Sequence, residues 1–358
     1  MRLWQVAVVF LLLGALLIGG CAQATPSPSP KATPAPSPSP AASPKPAPTG
    51  TVITLKYMSQ SQPNVAAYDW VVYFAKKVEE LSQGRLKLEV YTEGQLAYKV
   101  PAYLEVVRDD LVPLIDTMTG SVAGAVPELQ LAELPMLMPE ASDVTKVLPA
   151  LKPIMAKVLL DKWKSVLITA HPMHPQGLWV KKGINNLAGL KGTKIRTVSD
   201  EQSEWVTALG AAPVTLAAPE LYSALQYGTV NGVVTSTSFV WSRKLYEVVG
   251  NQLLSGATNL TRFIAINKDS FAKLPPDLQK VLYDAGEATS KYAEQMIPPY
   301  EKEMETNLTG KGVTFNRLSP DEVTRARSLA APIWEKWGTR NGATAQALLK
   351  TARDTLKY

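Results

Sequence analysis

Leu190-Lys191-Gly192-Thr193-Lys194-Ile195-Arg196-Thr197 opens the stretch that decides the fold, which runs on to Leu221-Tyr222-Ser223-Ala224-Leu225-Gln226-Tyr227-Gly228-Thr229-Val230-Asn231-Gly232. A loop ends at Gly192, and a short strand over 193–198 places Arg196 near its carboxyl end. A helical run, 202–209, closes on Gly210, and a second strand, 212–216, carries Thr215 near its end. A second helix opens near Pro219 and Glu220, where proline suits a first turn, and stops at Gly228. Strand, helix, strand, helix in succession predicts a parallel α/β sheet. Ligands of such sheets lie beyond the carboxyl ends of the strands. Arg196 is expected there, and its guanidinium matches a carboxylate with two parallel N–H donors. A surface salt bridge is the competing reading of Arg196.

Working outward, this stretch resembles the substrate-binding proteins of tripartite ATP-independent periplasmic (TRAP) transporters. The matches are Leu190, Lys191, Gly192, Lys194, Ile195 and Arg196, then Gly210, Ala211 and Pro213. They continue through Glu220, Tyr222, Ala224, Leu225, Gln226, Gly228 and Gly232 to Lys244-Leu245-Tyr246-Glu247-Val248, without a gap after Gly210. Fainter similarity covers roughly residues 52 to 335. Asn231 stands where that family usually has Asp, and Thr235 where it commonly has an Asn that contacts ligand.

Residues 1–21 read as a processing segment: Arg2, an apolar run over 3–18, then Ile18-Gly19-Gly20-Cys21. The apolar run is short for a bilayer span. The last four residues resemble a bacterial lipobox, which makes Cys21 a lipidation site; an uncleaved anchor or a free thiol are the alternatives. Cys21 is the single cysteine, so no disulfide can form within the chain. Residues 22–50 contain ten of the 28 prolines, interleaved with Ser, Ala and Thr, and read as a linker. Extended polyproline geometry gives it a reach on the order of 90 Å. All 31 acidic residues and 34 of the 37 basic ones lie beyond residue 50, leaving the body at +3 with no Lys/Arg block. No nucleic-acid surface follows from so small an excess.

The body starts with an alternating strand over 52–57 and a polar loop, 59–64, that contains Gln62. An amphipathic helix over 65–81 carries Trp70, Val71, Phe74, Ala75 and Val78 at helical spacing. A second strand covers 86–90, a helix 103–108, and a buried strand 111–115 leads to Asp116-Thr117-Met118-Thr119-Gly120. The resemblance implies that the first polar loop and Thr117 to Ser121 face a ligand cleft. Residues 146–163 suit a helix and 166–170 a strand. His171-Pro172-Met173-His174-Pro175 follows, read as a crossover between lobes and, alternatively, as a soft-metal site. Hydroxyls beside aromatics in Val233-Val234-Thr235-Ser236-Thr237-Ser238-Phe239-Val240-Trp241 suit a pocket wall; a Ser- or Thr-capped helix with core aromatics is the alternative. A strand over 259–267 returns to the first lobe. The resemblance then implies a long helix crossing both lobes, 275–309, which Pro298-Pro299 should kink or divide near Ile297. A last helix over 320–337 is followed by a polar helical tail.

The two histidines share one proline-flanked loop, and no Gly-x-Ser-x-Gly, phosphate loop or zinc spacing is present. The chain therefore reads as a binding protein, not an enzyme, with no cofactor and no metal. The resemblance implies a two-lobed, periplasmic-binding-protein-like α/β fold with a ligand cleft between the lobes. Lobe I is expected over 51–170 with 250–290 returning to it, and lobe II over 171–249 with 291–358 packed on it. The expected ligand is a small carboxylate bound by Arg196, with Thr235, Gln62, Thr117, Thr215, Tyr222, Phe239 and Trp241 as further contacts. A membrane permease would receive the solute, and the lipid at Cys21 would hold the protein to the membrane outside the cytoplasm. An ABC-importer binding protein or a ligand-presenting surface sensor are the alternatives.

Overall fold

The computed structural model describes residues 51–358, except Asn64 and Ala217. The leader, the lipidation at Cys21 and the 22–50 linker lie outside the described residues. Ten strands form the frame: β1 (Ile53–Ser59), β2 (Leu86–Tyr91), β3 (Leu114–Met118), β4 (Ser165–Pro172), β5 (Gln176–Val180), β6 (Lys194–Thr197), β7 (Ala212–Thr215), β8 (Gly232–Ser236), β9 (Asn251–Thr258) and β10 (Thr261–Asn267). Helices α1 (Tyr68–Leu81), α2 (Tyr103–Arg108), α3 (Ala141–Trp163), α4 (Asp200–Ala208), α5 (Leu221–Gln226), α6 (Thr237–Ser242), α7 (Lys268–Ala272), α8 (Pro276–Gly310), α9 (Pro320–Arg340) and α10 (Gly342–Leu356) surround them.

The strands make two five-stranded sheets, β2-β1-β3-β10-β4 and β7-β6-β8-β5-β9. In each, three parallel strands are joined by an antiparallel pair. The deciding stretch folds as its pattern predicts: β6, α4, β7 and α5 follow in order, with Gly192, Gly210 and Gly228 at positive φ in the turns. Helix α4 begins at Asp200, two residues before the expected start. Ser199 caps it by accepting from the Gln202 amide at 3.2 Å, and Asp200 and Glu201 sit in its first turn.

Several expectations need correction. The strand expected over 111–115 is β3, shifted three residues later; Asp110 at φ 55° and the 55% exposed Leu111 belong to the turn before it. Residues 250–258 do not return to the first sheet, because β9 pairs with β5 in the second; the return begins at β10. Residues 291–358 do not pack on the second half alone. Helix α9 lies on α4 while α10 lies on α3, and Trp334 Nε1 donates to the Pro135 carbonyl at 2.8 Å. The tail is also amphipathic rather than polar, burying Ala345, Leu348, Leu349 and Ala352. Helix α8 runs unbroken through Pro298 and Pro299. Each proline removes one donor, freeing the carbonyls of Glu294 and Gln295. Gln295 and both prolines are exposed, which leaves those carbonyls within reach of water instead of stranded in the core.

Two chain segments pass between the sheets, residues 173–175 after β4 and 259–260 after β9, and they run side by side. The Met173 amide donates to the Leu260 carbonyl at 3.1 Å. Helix α8 packs on β4 and α1 of one half and on α6 of the other.

Candidate functional site

The carboxyl ends of β3, β6 and β8 face a common cavity of about 770 Å³. Met118, Gly120 and Ser121 line it from the first half, and Gln176, Arg196, Val234 and Thr235 from the second. A smaller chamber of about 250 Å³ adjoins it and is lined by Gln60, Ser61, Gln62, His174, Ser236 and Ser238, among others. The two share Met118, Gln176, Thr235, Phe239 and Leu260, so the 259–260 crossing segment forms part of the wall of both, while Met173 and His174 of the other line only the smaller. This size suits one small molecule.

Arg196 is the main cation of the larger chamber. It stands one residue before the end of β6 and is 9% exposed. Its Nε donates to the Leu216 carbonyl at 3.3 Å, and no carboxylate among the described residues forms an ion pair with it. Burial pulls the guanidinium below its ordinary range. A buried cation without a counter-ion is costly. The other arginine at this chamber, Arg340, is committed to Glu201.

The opposing wall is organised by Gln60. Its Oε1 accepts from Thr117 Oγ1 at 2.5 Å and from the Met118 amide at 2.7 Å, and its Nε2 donates to Ser121 Oγ at 3.0 Å. Glu133 lies beside this wall, 6% exposed, and accepts from Thr119 Oγ1 at 3.0 Å. Burial raises its carboxyl to about 7. A Cβ on Gly120 would press on the Glu133 carboxylate and force that side chain to move, so glycine lets the loop after β3 lie against it.

Beneath the smaller chamber sits a closed ion pair. Arg262 on β10 donates to Asp116 on β3 through Nε at 2.5 Å and Nη2 at 2.7 Å, and Ser59 Oγ bridges the two. Arg262 and Asp116 are each 1% exposed. His171, opposite Arg262 across the β4–β10 register, is held neutral: burial first, then the Arg262 charge, lowers its pKa to about 4. His174 Nδ1 lies 2.8 Å from Glu301 Oε1 on α8, and its ring stacks on Trp70. The histidine stretch thus serves as the crossover, joining β4, α1 and α8.

Thr235 and Phe239 line both chambers, Arg196 the larger and Gln62 the smaller, while Thr117, Thr215, Tyr222 and Trp241, also singled out from sequence, line neither. Ser236 does cap α6, accepting from the Phe239 amide at 3.2 Å, and Phe239 still faces both chambers. Thr117 is fully buried behind the wall, where it orients Gln60 instead of meeting ligand. Thr215 is exposed at the end of β7, outside both chambers. Tyr222 donates to Glu247 at 2.6 Å on the outer face of the second half. Trp241 packs on Tyr246, with ring centroids 5.4 Å apart. Asn231 is structural: its Oδ1 accepts from the Lys194 amide at 2.9 Å and ties down the start of β6. Gln60, in the polar loop after β1, and Ser121 line the chambers as expected of their stretches; sequence reasoning missed Glu133 and Gln176. Neither of those two lay near a signal that could have raised it as a cleft residue.

The chain is similar over 306 residues to the C4-dicarboxylate-binding periplasmic protein DctP of Rhodobacter capsulatus, at 24% identity, covering 84% of this chain and 91% of that protein. It is 24% identical over 282 residues to the ectoine-binding periplasmic protein TeaA of Halomonas elongata, covering 75% and 81%. The crystal structure of DctP7, a Bordetella pertussis extracytoplasmic solute receptor binding pyroglutamic acid, superposes with a TM-score of 0.75 at 24% identity, covering 84% of this chain and all of that one. Residues 58–341 match the DctP family model, and the chain belongs to the bacterial extracellular solute-binding proteins, family 7.

Proposed function

We propose that this protein captures a small organic acid in the cleft between the two sheets, with Arg196 clamping its carboxylate. The observation that carries this reading is Arg196 itself, buried at a strand end beside an open cavity and without a carboxylate partner. Thr235, Gln176 and Ser121 supply neutral polar contacts, and Phe239 and Met118 an apolar wall. Support also comes from relatives described as binding a C4-dicarboxylate and pyroglutamic acid. The halves act as lobes that hinge about residues 173–175 and 259–260, close on the solute, and hand it to a TRAP-type membrane permease. The site binds and does not turn over its ligand.

The test is calorimetry with an acid selected by a thermal-shift screen. Removing one side of a buried charge pair costs about 2–5 kcal/mol, roughly thirty- to several-thousand-fold in Kd. Arg196→Ala should lose that much, and Arg196→Lys should recover only part, since an ammonium lacks the planar fork. A folded Arg196→Ala protein that binds within threefold of wild type would place the site elsewhere.

We further propose that Cys21 carries the lipid that anchors the protein, on the strength of the apolar run and Gly19-Gly20 before it. More than one acyl chain gives stable anchoring where a single chain gives only marginal binding. Cys21→Ala should abolish lipid labelling and release the protein or leave it as precursor; unchanged labelling defeats the assignment.

A further inference from the structure

The larger chamber contains a second buried ionisable side chain that no cation balances. Glu133 ends the turn Pro127–Glu133. Its neighbours are uncharged donors: Thr119 Oγ1 at 3.0 Å, Gln130 Nε2 at 3.4 Å and the Gly120 backbone amide. Of the other charged groups at this chamber, Glu201 is paired with Arg340, Asp200 is exposed, and Arg196 stands on β6. Glu128, on the same turn, is paired with Lys162. An ionised carboxylate offers about four acceptor positions and no donor, so these three contacts leave Glu133 about one position to spare. The chamber therefore presents two unbalanced groups, a donor-only cation on β6 and an acceptor on the turn before α3.

We propose that the solute is an acid of a particular class: one bearing, apart from the carboxylate held by Arg196, an N–H or O–H donor that Glu133 accepts. Hydroxy acids, lactam acids and amino-substituted acids belong to this class, and simple dicarboxylates do not. A second carboxylate beside Glu133 sets like charges together and binds only if a proton is taken up. Affinity for a dicarboxylate therefore rises as pH falls below about 7, where Glu133 protonates, while a donor-bearing acid keeps or gains affinity as pH rises through that value. This inference rests on the assignment of Arg196 as the carboxylate clamp.

Calorimetry on matched probes at pH 6 and pH 8 tests it: pyroglutamate against cyclopentanecarboxylate, 3-hydroxybenzoate against benzoate, and succinate. In wild type, the donor-bearing member of at least one pair should bind about tenfold tighter or more, as a hydrogen bond to a charged group allows. Succinate should weaken from pH 6 to pH 8. Glu133→Gln, which cannot ionise, should remove that pH dependence. Glu133→Met, which cannot accept, should shrink the donor preference to within about threefold; melting curves confirm that both variants are folded. Equal binding within both pairs, succinate binding most tightly at pH 8, or no change of the pH dependence in Glu133→Gln overturns the inference and leaves the role of Arg196 intact. If Arg196→Ala binds the acids as wild type does, or none of them binds, the Arg196 assignment falls first and this inference with it.

Discussion

Two arginines are buried beside this cleft, one in each sheet, and they are held in opposite ways. Arg262 is locked by two bonds to Asp116 and one to Ser59, all inside the first sheet. Arg196 has one long bond to a backbone carbonyl and lines the larger cavity. The same side chain is locked into the frame where the fold supplies its counter-ion, and left facing a cavity where it does not. Burial alone does not separate the two; the partner does.

The strongest way to break this comparison is to exchange stability for binding. Arg262→Ala leaves Asp116 buried without its partner, which costs about 3–5 kcal/mol. A drop in melting temperature of about 6–20 °C follows for a chain of this size. Arg196→Ala removes an uncompensated charge and should leave the melting temperature of the ligand-free protein within a few degrees, or raise it. Replacing both members of the closed pair by apolar residues, Arg262→Met with Asp116→Leu, should recover much of the loss, because a buried pair is often no better than a well-packed apolar substitute. Thermal and denaturant melts of the four proteins decide the matter. Equal melting temperatures for the two alanine variants would show that the two arginines are not different in kind.

The contrast also explains how far the sequence could be read. Arg196 was legible because its strand, the helix after it and the turn glycines are contiguous, so a local pattern carries it to a strand end. The Arg262–Asp116 pair joins residues 146 apart, and no local signal connects them. Thr117 was misassigned through a shift of register: moving β3 three residues later puts Thr117 inside the strand, behind Gln60, and brings Met118 to its cleft end. Tyr222 and Trp241 were misjudged because helical spacing shows which residues share a face, but not which neighbour covers it. Glu133 was invisible for a similar reason. Its importance lies in the absence of a cation around it, and that can be seen only once every neighbour is placed. The two-sheet architecture and the long α8 were legible; the bridging role of α9 and α10 was not, since their partners, α4 and α3, lie far earlier in the chain.

A smaller effect sharpens the comparison from the side of the ligand. An acid that completes Arg196 binds the folded protein and stabilises it by about 2.7 kcal/mol at a hundredfold excess over Kd. The melting temperature should rise by several degrees, at about 2–4 °C per kcal/mol. If the two halves close over the solute, solution scattering should show a smaller radius of gyration on saturation. Arg262→Ala should show the same ligand-induced rise from its lower baseline, because its defect is in the frame and not at the clamp. An unchanged radius at saturation would remove hinge closure from the mechanism and leave a preformed site.

The smallest expected effect separates the inner face of the second half from its outer face. Tyr222 belongs to the pattern that points to this family, yet its hydroxyl is spent on Glu247, on a surface away from both chambers. Tyr222→Phe removes one hydrogen bond at an exposed position, a loss of about 0.5–1.5 kcal/mol at most. Solute affinity should remain within about twofold of wild type. Phe239, by contrast, is common to both chambers, so Phe239→Ala removes apolar wall from the cleft and should weaken binding several-fold even if the fold tolerates it. Measured side by side with one acid, the pair tests the geometry itself. A Tyr222→Phe protein that binds tenfold more weakly while melting normally would bring that helix to the ligand and redraw the cleft.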